Sequence, residues 1–178
     1  MSVYMPMSTS GRHNRLVRTL SSAVIELERK KEVYALQEEC ALVHWGYKGK
    51  PDFKELVKIQ DIEDKEIFVK EIIDELDYIQ PDFLLFKDNP YLHNDNETKV
   101  AGCPDLIVEV WSKGNTKAER EFKFDLYSGS SITEHWYIEQ DSNEVTCYFG
   151  RNRIKNQILS NILLSQNGLE FDLRYLTI

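Results

Sequence analysis

A carboxylate stands where a core residue belongs in this sequence. The stretch Pro104-Asp105-Leu106-Ile107-Val108-Glu109-Val110-Trp111-Ser112 reads as a buried strand with an acid near its centre. Side chains alternate along a strand, so Leu106, Val108 and Val110 point to one face and Asp105, Ile107, Glu109 and Trp111 to the other. An apolar run with β-branched residues on both faces reads as a strand covered on both sides. An ionised carboxylate there is costly unless it is paired or binds a metal. Glu109 is therefore either a satisfied structural acid or a site residue. A second apolar run, Phe83-Leu84-Leu85-Phe86, is opened by Pro81-Asp82 as the first is opened by Pro104-Asp105. Alone, Pro-Asp reads as a strand-entry turn. If the two strands pair antiparallel with Asp82 opposite Glu109 and Phe86 opposite Asp105, the two acids have Cβ atoms about 5 Å apart. Carboxylates that close repel unless a cation or a proton sits between them, and hard oxygen ligands at that spacing suit Mg²⁺ or Mn²⁺. Asp105 and Glu109 share a face but lie roughly 13 Å apart at about 3.3 Å per residue. Asp82 and Glu109 thus make the inner pair, and Asp105 is an outer ligand, a second metal site or a turn residue.

Lys123 and Tyr127 have two readings each. Glu119 and Lys123 are spaced for a surface salt bridge worth a few tenths of a kcal/mol. Alternatively, a helix delivers Lys123 to the carboxylates, where an ammonium can orient an attacking water and stabilise charge on a phosphorane. Tyr127, one turn on, hydrogen-bonds into the same site or packs. Arg12, Arg15 and Arg18 fall on the exposed side of a first helix, as a solvated face or as a phosphate-contacting edge.

The elements that must position these residues follow in order. A first helix runs from about Ser10 to Lys31, with Ser8, Thr9 and Ser10 as candidate caps and Leu16, Leu20, Ala23, Val24 and Leu27 as its buried stripe. His13 reads as a surface or capping residue rather than a ligand. Strands follow around Val33–Leu36 and Ala41–Trp45, then a turn from Gly46 to Pro51. Residues 50–77 read as an acidic excursion. Tyr78 to Phe86 is one strand, and the polar run Lys87 to Thr98 is a loop. After the central strand, Thr116 followed by Glu119 has capping-box spacing and starts a second helix, which ends before Gly129. Ile132 to Glu139 is a strand with Trp136 and Ile138 inward, and it forms a hairpin with Val145 to Phe149. Arg151, Arg153 and Lys155 form a second basic patch. Ile162-Leu163-Leu164 and Leu169-Glu170-Phe171 make a short finishing element. Trp45, Trp111 and Trp136 read as core residues rather than base-stacking platforms. The order implies an α/β architecture around a mixed sheet.

The bulk numbers set limits. The 178 residues suit one domain, residues 1–178, with a sizeable core. A net charge of -8 does not advertise a nucleic-acid binder. The charge is uneven, with +4 in residues 1–31 and -12 in the remainder. The three cysteines Cys40, Cys103 and Cys147 lack metal-ligand spacing, and their odd number argues against a disulfide framework, which implies a reducing, cytoplasmic setting. Met1 to Ser10 is no signal peptide, and no run approaches the roughly 20 apolar residues of a membrane span.

Asp82, the Pro-Asp-Leu-Ile-Val-Glu-Val-Trp-Ser stretch, Lys123-Phe124-Asp125-Leu126-Tyr127 and Glu134-His135-Trp136-Tyr137-Ile138 together resemble the bacterial Uma-type family of the PD-(D/E)XK nuclease superfamily. The resemblance extends to Arg12-His13, Glu32-Val33-Tyr34, Gln80-Pro81-Asp82 and Ala101-Gly102-Cys103-Pro104-Asp105, and covers most of the chain. It implies a restriction-endonuclease-like α+β fold with an α-β-β-β-α-β core, a mixed sheet flanked by helices, and a metal-dependent phosphodiesterase site. By it, Asp82 corresponds to the motif aspartate and Glu109 to the acidic strand residue. Trp111 stands where the superfamily's usual lysine would be, and Lys123 matches the position to which the lysine has migrated in this family. Lys113 replaces a proline that commonly follows the strand, and the 50–77 region is longer than usual. The resulting expectation is a Mg²⁺- or Mn²⁺-dependent endonuclease acting on nucleic acid, with DNA as the substrate the resemblance suggests, and a homodimer. The alternative is a catalytically inactive module of the same fold that binds nucleic acid or a protein. A purely structural acid cluster is a third reading.

Overall fold

The computed structural model describes residues 11–30, 34–37, 41–43, 78–87, 92–93, 99–101, 104–129, 134–142, 144–158, 162–166 and 168–172. The candidate caps at Ser8 to Ser10, the Gly46–Pro51 turn, the acidic excursion at 50–77, Trp45, Cys40 and Cys103 lie outside those residues.

Helix α1 (Gly11–Arg29) buries the expected stripe of Leu16, Leu20, Val24 and Leu27, together with Val17 and His13. The strands Tyr34–Gln37 (β1), Ala41–Val43 (β2), Tyr78–Ile79 (β3), Phe83–Phe86 (β4), Leu92–His93 (β5), Lys99–Ala101 (β6) and Leu106–Trp111 (β7) precede helix α2 (Lys117–Gly129). Glu134–Glu139 (β8), Glu144–Phe149 (β9), Asn152–Ile158 (β10), Ile162–Leu164 (β11) and Glu170–Asp172 (β12) complete the chain. The main sheet has the order β1-β4-β7-β8-β9-β10. All its pairs are antiparallel except β7 with β8, which α2 connects. The path α1-β1-β4-β7-α2-β8 is the α-β-β-β-α-β core of the restriction-endonuclease-like fold. A second sheet has the order β3-β2-β6-β5, and β11 pairs with β12.

The alternation expected for β7 is the one observed. Leu106, Val108 and Val110 join Phe83, Leu85, Trp136 and Ile138 in a core that α1 covers with Leu16, Leu20 and Leu27. Ile107 turns the other way, with Leu84, Tyr137, Leu126 and Tyr127, into a core beneath α2. The central strands are thus buried on both faces, which is why they read as continuous apolar runs. The tail seals the α1 side through Leu163, Leu169 and Phe171.

Two local expectations need correction, and one strand is new. Tyr78 to Phe86 is not one strand: it breaks between β3 and β4, which belong to different sheets. Pro81 lies in the break, and proline has no N–H to continue a ladder. The run Lys87 to Thr98 contains β5, which pairs antiparallel with β6. Arg153 and Lys155 lie within β10, the edge of the main sheet, where a polar strand protects an exposed ladder. Arg151 just precedes it and faces Asp125 at 3.1 Å. No described helix is long and apolar enough to cross a membrane.

Candidate active site

The β4–β7 ladder pairs Phe83 with Val108, Leu84 with Ile107 and Leu85 with Leu106. One step further along the same register sets Asp82 opposite Glu109. Leu84 and Ile107 lie in the core beneath α2, so the two acids, in step with them, belong to that face. Asp82 is held by the next strand. Its Oδ2 accepts a 2.6 Å hydrogen bond from the Val110 N–H.

Helix α2 carries the remaining groups. Thr116 Oγ1 accepts from the Glu119 N–H at 3.2 Å, so the expected cap forms, but the Glu119 carboxylate turns to Asn115 Nδ2 at 3.0 Å. The helix then presents Lys123 and Tyr127, four residues apart and hence on one side. Lys123 Nζ lies 2.7 Å from Glu109 Oε2 and 3.4 Å from the Gln80 carbonyl. The Tyr127 hydroxyl donates to Glu109 Oε1 at 2.5 Å. Glu109 and Lys123 are 2% and 5% exposed, so the surface salt-bridge reading of Lys123 is set aside.

Burial governs the charges. It raises the Glu109 carboxyl from 4.5 to about 7; the Lys123 ammonium opposes the rise and Asp82 adds to it. For Lys123, burial favours the neutral amine, but contact with Glu109 outweighs it and holds the ammonium above its ordinary value. Burial, followed by the charge of Glu109, raises Tyr127 well above 10, so its hydroxyl keeps its proton and donates. Once Glu109 is ionised, two carboxylates face one ammonium and leave a negative charge in excess. A small hard cation would answer that excess, and its preferred donors are the oxygens present. Among the described residues no three His, Cys, Asp or Glu side chains converge as a metal site. The donor set therefore fits an ion that takes one or two carboxylates and fills its shell with water and substrate phosphate, as Mg²⁺ does.

The expected residues divide. Asp82, Glu109, Lys123 and Tyr127 come together. Asp105 sits at the entry to β7, where its Oδ2 accepts from the Lys87 N–H at 2.8 Å. Its own N–H donates to the Leu85 carbonyl at 2.9 Å. Arg12, Arg15 and Arg18 are exposed. Arg12 faces Asp141 at 3.9 Å, and Lys113 reaches the same acid at 3.4 Å.

The sequence reading missed three features. His13 is no surface residue: it is 5% exposed, with Nε2 3.5 Å from Asp82 Oδ1. Its position three before Leu16 and seven before Leu20 places it on the buried stripe, a signal that was available. Glu134, in step with Trp136 and Ile138, is 1% exposed. It accepts from Trp136 Nε1 at 2.6 Å and from the Gln166 N–H at 2.8 Å, tying the tail to β8. His135 lies 2.8 Å from both the Gly150 carbonyl and the Tyr137 hydroxyl. A carbonyl only accepts, so Nε2 carries the proton and Nδ1 accepts from Tyr137. Burial lowers the His135 pKa to about 4.

Three comparisons complete the picture. The family described as "Uma2: Putative restriction endonuclease" matches residues 63–177. The chain is similar to a crystal structure titled as a "putative nuclease belonging to DUF820" from Anabaena variabilis, with a TM-score of 0.60 at 11% identity. The match covers 96% of this chain and 82% of that one, and at this identity it shows the fold. No curated protein matches the chain.

Proposed function

This chain belongs to the Uma2 family, and from that premise we propose that it is a divalent-cation-dependent endonuclease that hydrolyses phosphodiester bonds of DNA. The observation that carries the reading is the meeting of two carboxylates from adjacent strands with a buried lysine, Nζ 2.7 Å from Glu109. Asp82 and Glu109 would hold Mg²⁺ or Mn²⁺. A cation bound there would neutralise charge on the scissile phosphate and make a water more acidic.

The protein's own groups do the rest. The Val110 N–H fixes one Asp82 oxygen, and His13 flanks the other. Tyr127 fixes Glu109. Lys123 keeps an ammonium beside the reacting phosphate, where it aligns the attacking water and stabilises charge that grows in the transition state. Asp105 belongs to strand entry in this reading, because its carboxylate is engaged with the Lys87 N–H. The enzyme is proposed to be cytoplasmic and homodimeric, since cutting two strands calls for two sites.

One observation favours a second reading. Both Glu109 oxygens have partners, and the residue is 2% exposed. A closed charge pair of this kind also suits a non-catalytic module of the same fold that binds nucleic acid or a protein. A panel of single- and double-stranded DNA substrates, incubated with Mg²⁺ or Mn²⁺ and with a chelator, separates the two. The nuclease cleaves only with the cation and loses cleavage in Asp82→Asn and in Glu109→Gln. Cleavage that survives the chelator or either amide substitution refutes the assignment.

A further inference from the structure

Trp111 follows Glu109 by two residues on the same face of β7, about 7 Å further along the strand. It packs against the core beneath α2, as expected, but is only half-buried and lines a hollow of about 220 Å³. Phe124, next to Lys123 on α2, and Tyr148 of β9 also line the hollow, as does Tyr137. Tyr137 is the β8 residue paired with Glu109. The hollow and the carboxylate site thus draw on the same strand and the same helix, although Asp82, Glu109, Lys123 and Tyr127 do not line the hollow.

Its walls are fixed in advance. Tyr137 stacks on Trp111 with ring centroids 4.1 Å apart and planes at 28°. The hydroxyl of Tyr137 donates to His135, which the Gly150 carbonyl holds in one orientation. Phe124 meets Tyr148 edge-on at 5.0 Å. Arg120 lies over the Trp111 ring at 4.7 Å, clamped by the Ser112 carbonyl at 2.9 Å and by Glu139. Aromatic groups ordered before a ligand arrives lose little freedom when it binds.

We propose that this hollow receives one unpaired nucleobase of the substrate strand, beside the phosphate that Asp82 and Glu109 serve; the inference rests on the nuclease reading. The size is below the roughly 300 Å³ at which pockets for drug-sized ligands begin, and suits a single planar ring system. With Tyr137 stacked on Trp111 and Arg120 over it, the ring surface left for a base is that of Phe124 and Tyr148, and every base has a π-face to meet it. Glu121, which also lines the hollow, offers an acceptor to an exocyclic amino group, as carboxylates do for cytosine. The separation of about 7 Å along β7 is comparable with one nucleotide step of an extended strand. A base can enter only when it is outside a duplex stack, so the substrate is a single strand or a site with a flipped or unpaired nucleotide.

The test is a binding measurement in chelator, which needs no turnover. A fluorescently labelled single-stranded oligonucleotide and an abasic strand of the same length are titrated with the full chain, and anisotropy is read. The base-bearing strand is expected to bind at least about tenfold more tightly, equivalent to about 1.4 kcal/mol. Thr146→Phe fills the hollow from β9, where an aromatic residue suits a strand, and should erase the preference. Tyr148→Ala should reduce it. Equal affinity for the two strands, no binding of either, or an undiminished preference in folded Thr146→Phe overturns the proposal. Calorimetric Mn²⁺ binding on the same proteins, freed of chelator and with a phosphodiester present, tests the nuclease reading separately. Mn²⁺ binding without base preference defeats the pocket alone. Base preference without Mn²⁺ binding supports the pocket and defeats the nuclease.

Discussion

Replacing Lys123 with methionine removes the ammonium 2.7 Å from Glu109 and leaves a carboxyl that is 2% exposed. With the lysine present, burial already raises Glu109 to about 7. Without it, the main influence opposing that rise is gone, and Glu109 keeps its proton to higher pH. Below about pH 7, in chelator, the carboxyl is mostly protonated in both folded proteins, and the substitution should cost little through this charge. Above it, folded wild type releases a proton that the folded variant retains. Stability falls with pH wherever the folded state binds more protons than the unfolded state, by about 1.4 kcal/mol per proton per pH unit. The variant therefore loses ground to wild type by about 3 kcal/mol between pH 7 and about pH 9, within reach of the 3–5 kcal/mol typical of a broken buried pair. Urea unfolding followed by tryptophan fluorescence at about pH 6, 7.5 and 9 reads this directly. A destabilisation that is the same at all three, or that shrinks as pH rises, refutes the electrostatic account of the pair.

Two further outcomes follow from the acid–aromatic network. Folding lowers His135 from 6.5 to about 4, so the fold holds it neutral and the unfolded chain takes up the proton. The associated stability is present above about pH 6.5 and is lost as pH falls towards 4, by about 3 kcal/mol; the urea midpoint of wild type should fall further over that range than that of His135→Gln, and parallel curves would contradict the assignment. Glu134→Ala strands the Trp136 Nε1–H and the Gln166 N–H, both donors to the buried carboxylate. Thermal unfolding should show a loss of about 3 kcal/mol, and a loss under about 1 kcal/mol would mean that water replaces the acid.

Much of the site was legible because strands have a two-residue period. Alternation alone separated Glu109 from Val108 and Val110, and the antiparallel register supposed for the two Pro-Asp strands is in step with the observed pairing of Phe83 with Val108. Lys123 was not legible from spacing. Four residues from Glu119, it fits a surface pair equally well, and only the β7-α2-β8 crossover carries it to Glu109; the family resemblance supplied that choice. β10 escaped because its polar edge sequence carries no apolar alternation. The break at Pro81 was hidden because apolar residues continue on both sides of it. His13 was misread on residue type, although its helical phase matches Leu16 and Leu20. Trp111 does pack against the core beneath α2, and what the sequence did not show is that its remaining surface forms a wall of the hollow.

Mn²⁺ binding by calorimetry on wild type, Glu109→Gln, Asp82→Asn and Asp105→Asn tests the central claim most directly. The account predicts that wild type and Asp105→Asn bind the ion, and that folded Glu109→Gln and Asp82→Asn bind it at least about tenfold more weakly, a loss of about 1.4 kcal/mol or more. Equal binding by all four proteins, or none by wild type even with a phosphodiester present to complete the ion's ligands, would contradict it.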